Sequence, residues 1–214
     1  MDEDISAINT STRIEKIKNF FIENKNSIII SFSVFIIIII GYFAYDEINK
    51  RGKIKIANQF ESSKIDFISG NTANVKSEMI DIIKKKDNTY SPLALYFLLD
   101  NEIITSPIKI NEFYDILIND LNLETESKNL IIYKKALFNF SFESENNLIK
   151  MLNPIISSNS IWKSHSLYLL GEFFLSKNEN QKAKEFFEKI LTLDNSNTKI
   201  KIEAQKRIER DLSD

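Results

Sequence analysis

Apolar positions along the chain fall into one continuous run followed by a long series of helical stripes. The run is Asn26 to Tyr45, NSIIISFSVFIIIIIGYFAY, twenty residues without a charge and fifteen of them apolar. As a helix rising about 1.5 Å per residue it is about 30 Å long, the thickness of a bilayer's hydrocarbon core. Asn26 opens the segment, Ile36 sits at its middle, Gly41 is tolerated near its end and Tyr45 closes it. Tyr42 and Tyr45 suit the aromatic belt at a membrane surface, and Lys25 can extend out of the other end. A cleaved leader has an apolar stretch of roughly 7–15 residues and a small-x-small cleavage site. This run is longer and ends Tyr42-Phe43-Ala44-Tyr45. A buried core helix rarely runs this far without a polar face. The expectation is therefore an uncleaved transmembrane anchor over 26–45, a tail over 1–25 and one large domain over 46–214. No GxxxG pairing pattern occurs in the span.

The tail begins polar and acidic (Asp2, Glu3, Asp4), and its first twelve residues read as disordered. Arg13 to Lys25 then places Ile14, Ile17, Phe20 and Phe21 at amphipathic helical spacing. That segment either lies on the membrane surface or continues the anchor helix.

Beyond the run, the stripes predict helices over 53–69, 72–86, 92–104, 107–121, 125–141 and 144–157, then two amphipathic helices within 164–197 that flank the polar turn Lys177-Asn178-Glu179-Asn180, and a last helix over 198–211. Gly70-Asn71 marks a stop, and Lys84, Lys85 and Lys86 suit the negative end of a helix dipole. Ser91-Pro92 and Ser106-Pro107 read as start signals, with proline at the first helical position. Pro154 bends or ends its helix. The helices come in pairs with a period of about 34–40 residues, which points to stacked helix hairpins, each covering the next one's apolar face. The charged last segment, KIKIEAQKRIERDL, reads as a capping helix.

Composition supports an all-α class. The chain has four glycines and three prolines, too few for a sheet with tight hairpins. Residues 46–214 carry 24 Lys and Arg against 25 Asp and Glu. Such a neutral domain is a poor nucleic-acid binder, which needs a basic face. The absence of cysteine removes disulfides, thiol catalysis and cysteine-bound metals. The positive-inside rule does not orient the span: residues 11–25 and 46–60 hold four cations each. A short cytoplasmic tail with an exported domain is the common arrangement for such anchors.

No enzymatic signature occurs. His165 is the only histidine, and no HExxH, phosphate-binding loop, GxSxG or GxGxxG is present. The carboxylates alternate with lysines, as in Lys182, Lys184, Glu185, Glu188 and Lys189, which is the pattern of a solvated helix face. Neither a catalytic group, a metal site nor a cofactor is expected. Trp162, the single tryptophan, reads as core packing, with a partner anchor as the sharper alternative.

Between Ser164 and Asn195 the spacing resembles the tetratricopeptide repeat. Leu167, Leu170, Gly171 and Phe174 stand at its first-helix positions, and Ala183, Phe187 and Ile190 at its second-helix positions. Small Gly171 and Ala183 allow close approach, and Phe174 and Phe187 fill the space beside them. Asn178 stands where the repeat has its turn glycine, and Asn195 where it has a closing proline. Ala136, Leu148, Leu152 and Ile155 repeat the spacing one unit earlier. The resemblance implies a solenoid of about four hairpins plus a C-terminal cap. It also implies a partner-binding side on the first helices of each pair, which here selects His165, Tyr168, Glu172 and Leu175.

Tail, single span, basic flank and repeat domain together resemble the single-pass periplasmic tetratricopeptide proteins that are similar to the ancillary subunit of the bacterial Sec translocon. That resemblance implies an inner-membrane protein with a cytoplasmic N-terminus and a periplasmic domain, working beside the translocon with chaperones or emerging proteins. The alternatives are an envelope enzyme regulator and a structural tether in a division or secretion complex.

Overall fold

The computed structural model describes residues 14–16, 18–194 and 196–213, and of Ile28 the backbone only. The expected tail over 1–12, with Arg13, Ile17 and Asn195, lies outside the described residues. Among the described residues the chain is all-helical and contains no strand. Residues 18–23 are helical. The long helices that follow are α1 (Lys25–Ile68), α2 (Val75–Lys84), α3 (Tyr90–Asp100), α4 (Pro107–Asn119), α5 (Thr125–Asn139), α6 (Glu145–Ile156), α7 (Lys163–Ser176), α8 (Asn180–Leu191) and α9 (Thr198–Asp211). The described chain divides into two compact units, and the division falls within α1 between Lys55 and Ile56.

In the first unit, α1 contributes a helix long and apolar enough to cross a bilayer, a test that a signal sequence near an N-terminus also passes. None of its most apolar stretch is buried. Asn26, Ile36, Gly41 and Tyr45 are all exposed.

In the second unit each helix packs on its sequence neighbour from α2 to α9, and α2 also meets α4, as α7 meets α9. Two hydrophobic clusters result. Residues from Phe60 to Ile131 form the first, and residues from Ile132 to Leu212 the second. The handover occurs between adjacent residues of α5. Successive helical positions differ by about 100°, so Ile131 and Ile132 enter different clusters.

Several start and stop signals act as the sequence suggests. Ser106 accepts from the Lys109 amide (3.5 Å), with Pro107 opening α4. Pro154 stands in the last turn of α6, which ends two residues later. Gly70 has φ +82°, a backbone that favours glycine, just beyond the end of α1. Asn178 takes φ +60° in the α7–α8 turn, a conformation that asparagine tolerates.

The Ser91-Pro92 signal works differently. α3 begins at Tyr90, because the Asp87 carboxylate accepts from the amides of Thr89 (2.9 Å) and Tyr90 (2.8 Å). Ser91 is buried and its hydroxyl donates to the Ile82 carbonyl (2.9 Å), tying α3 to the end of α2. The lysine run ends α2 at Lys84, and Lys85 and Lys86 pair with Asp81 and Asp120, both at 2.9 Å.

Candidate functional site

The α7–α8 hairpin is built around a close approach. Leu167, Leu170, Gly171 and Phe174 on α7 and Ala183, Phe187 and Ile190 on α8 are all buried. A methyl group on Gly171 would lie 2.5 Å from the Phe187 ring, so only glycine permits this separation. Ala136 on α5 and Leu148, Leu152 and Ile155 on α6, the preceding pair, are fully buried. Helical hairpins of many kinds share such a burial pattern.

The four residues expected to face a partner, His165, Tyr168, Glu172 and Leu175, run along one side of α7, and all are half-buried. Their neighbours come from this chain. His165 lies 5.2 Å from the Trp162 ring and 6.0 Å from Tyr133 of α5, centre to centre, and Tyr133 stacks on Trp162 at 5.9 Å. The His165 Nδ1 is buried without a hydrogen-bond partner. Burial holds this imidazole below its ordinary value of 6.5, against a smaller upward pull from the Ile161 backbone.

Tyr168 packs its ring on Phe187 at 5.4 Å, and burial pushes its phenol above the ordinary value of 10, with Arg207 of α9 pulling the other way. Arg207 reaches Glu172 through Nη2, which donates to Oε2 at 2.8 Å, and through Nε, 2.6 Å from Oε1. The second contact brings the charges together without a well-aligned N–H, so Oε1 keeps no hydrogen-bond partner of its own. Arg207 also holds Asp211 at 3.0 Å. Arg210 and, less strongly, Arg207 keep the Asp211 carboxyl well below its usual range. Leu175 packs against the second cluster. Trp162 is likewise partly buried against that cluster. These contacts tie α7 to α5 and α9 and leave all four side chains half-buried.

An open surface lies elsewhere. A groove of about 470 Å³ runs between α4, the end of α5, the following turn and α6. Ile108, Phe142 and Met151 supply its apolar wall, and Glu112, Asp115, Lys135 and Glu143 its charges. Its floor is a reciprocal amide pair: Asn111 Nδ2 donates to Asn139 Oδ1 (2.9 Å), and Asn139 Nδ2 returns the bond to Asn111 Oδ1 (2.8 Å). Asn139 is fully buried, and the pair locks α4 to α5. Ile108 is 74% exposed and Phe142 53%. Sequence reasoning passed over these residues. The available signal was apolar side chains off the stripe: Ile108 sits outside the Ile110, Phe113, Tyr114 and Leu117 register, and Phe142 stands in a polar turn.

Among the described residues no three His, Asp or Glu side chains converge as a metal site. No protein-family model, curated protein or solved structure matches the chain. What the fold defines is an all-helical protein with one long apolar helix near its N-terminus.

Proposed function

We propose that this chain is a single-pass membrane protein whose helical domain is a tetratricopeptide-like scaffold for protein partners in the cell envelope. The observation that carries the reading is the uncharged run Asn26–Tyr45, which lies in a helix whose apolar stretch is wholly unburied. In water that surface is strongly unfavourable, at roughly 25 cal/mol per Å² of apolar area. A bilayer removes the cost. The Ser33 hydroxyl already donates to the Ile29 carbonyl (2.8 Å), so it needs no water there.

The tetratricopeptide reading draws support from the Gly171–Phe187 approach and from the α7–α8–α9 contacts, in which α9 lies on both members of the hairpin before it. A role in recruitment is the natural use of stacked hairpins, which present extended surfaces rather than a catalytic cleft. The proposed setting is the bacterial inner membrane beside the Sec translocon, with a cytoplasmic N-terminus and a periplasmic domain. The proposed partners are periplasmic chaperones or emerging proteins. Anchoring raises the local concentration of such a surface near membrane-bound partners.

Protease treatment of spheroplasts tests the topology: digestion of the domain from outside is the expected result, and its protection with the outer face intact overturns the periplasmic placement. Affinity purification of the full chain from solubilised membranes tests recruitment. Translocon components or chaperones should co-purify, and recovery of the chain alone would count against the scaffold.

A further inference from the structure

The groove between α4, α5 and α6 presents apolar side chains that this chain leaves uncovered. Ile108 and Phe142 are mostly exposed, and Met151 is half-buried beside them. Phe142 is held edge-on by Phe138 (5.4 Å), which lies 6.3 Å from Tyr114 of the first cluster. Its ring is therefore braced rather than free. The groove's volume lies within the range of ligand-binding pockets, about 300–1,000 Å³, which accommodates one large side chain with its flanking backbone.

Charge selects the occupant. Three carboxylates rim the groove, and two are neutralised within the chain: Asp115 by Lys135 at 2.6 Å, and Glu112 by Lys109 at 2.8 Å. Glu143 accepts from Asn147 Nδ2 (2.9 Å) and the Ser144 amide (3.2 Å), and no ion pair to it is formed among the described residues. One uncompensated negative charge thus stands beside the exposed Phe142 ring. An acidic segment or an anionic headgroup placed here meets repulsion from Glu143. A cation beside an apolar anchor meets complementary groups at both points.

We propose that this groove docks a peptide segment of a partner protein in which a large apolar residue adjoins a lysine or arginine. The proposal rests on the scaffold reading above and supplies the surface and the partner's chemistry. The apolar residue packs among Ile108, Phe142 and Met151, and the cation pairs with Glu143.

The test uses the full chain in detergent micelles and fluorescein-labelled nonapeptides of alternating leucine and lysine. The same peptide with glutamate for lysine, or serine for leucine, serves as control. The leucine–lysine peptide should bind, and both controls should bind at least tenfold more weakly. F142S alters an exposed side chain and E143K a half-buried one at a turn, and each should weaken that binding about tenfold. An unchanged Trp162 emission spectrum shows that the fold survives. Equal binding of the lysine and glutamate peptides, or binding indifferent to E143K and F142S, overturns the proposal.

A photo-crosslinking residue at position 142 carries the test into native membranes. A crosslink to another protein, competed by the leucine–lysine peptide, supports the groove. A crosslink to a second copy of this chain overturns it. Co-purification of a partner that is unaffected by both variants overturns the groove while leaving recruitment intact. Absence of any partner overturns both.

Discussion

Gly171 is the residue on which the α7–α8 hairpin turns. Replacing it with alanine gains roughly 1 kcal/mol of helix propensity, but the added methyl would stand 2.5 Å from a fully buried Phe187 ring. Overpacking of this kind costs about 1–3 kcal/mol, so Gly171→Ala should destabilise the second cluster by about 1 kcal/mol net. Thermal unfolding followed by Trp162 emission checks the sign, and a raised midpoint would contradict the packing argument. His165 provides a second prediction. Its folded value lies below its unfolded value of 6.5, so the unfolded chain binds the extra proton. Stability is then insensitive to this group above about pH 6.5 and falls as pH drops below it. In His165→Asn that component should vanish from the stability-versus-pH curve. Both residues stand out in the sequence, one as a small residue in an apolar stripe and one as the only histidine. The neighbours that give them their effect, Phe187 in one case and Tyr133 with Trp162 in the other, are joined only by the fold.

At the scale of elements, α9 buries the fewest of its own residues among α2 to α9. Ala204 is its only fully buried residue; Ile200 and Ile208 are half-buried, and Leu212 is buried just beyond its end. The Arg207 cluster with Glu172, Tyr168 and Asp211 supplements this small area. Arg207→Ala should cost about 1 kcal/mol, a figure that allows for the partial exposure of the pair. It should also raise amide hydrogen exchange in α9 before it does so in α7. Uniform exchange across both helices would show that α9 does not open separately. The helices themselves were legible because apolar spacing, Ser106-Pro107, Gly70 and Pro154 are local signals. The start of α3 was not, because Asp87 reads as an ordinary charged loop residue until its carboxylate is seen accepting from two amides. The neighbours of that side of α7 were equally hidden. Spacing puts His165, Tyr168 and Glu172 on one line, but only packing shows that α9 lies over part of it.

At the scale of the whole molecule, the long apolar run governs behaviour. Under the anchor reading the full chain should stay in the membrane pellet after alkaline carbonate extraction. A central charge in the span, Ile36→Lys, should reduce insertion, since such a charge costs about 2.5–3.5 kcal/mol on insertion scales. A wild-type chain recovered in the carbonate supernatant would refute the anchor. The run was legible from the sequence because twenty uncharged residues need no tertiary context to interpret. The groove was not, because it gathers residues from α4, α5, a turn and α6 whose relation exists only after packing. The division of the core at Ile131 and Ile132 has a consequence for how the protein comes into being. Each helix packs on its sequence neighbour, so the first cluster contains nothing that follows Ile131 except partly buried contacts such as Phe138. Ribosomes release a chain from its N-terminal end. The earlier half can therefore consolidate around α2, α3 and α4 while α7, α8 and α9 are still being synthesised, with α5 serving as the template on which the later half assembles.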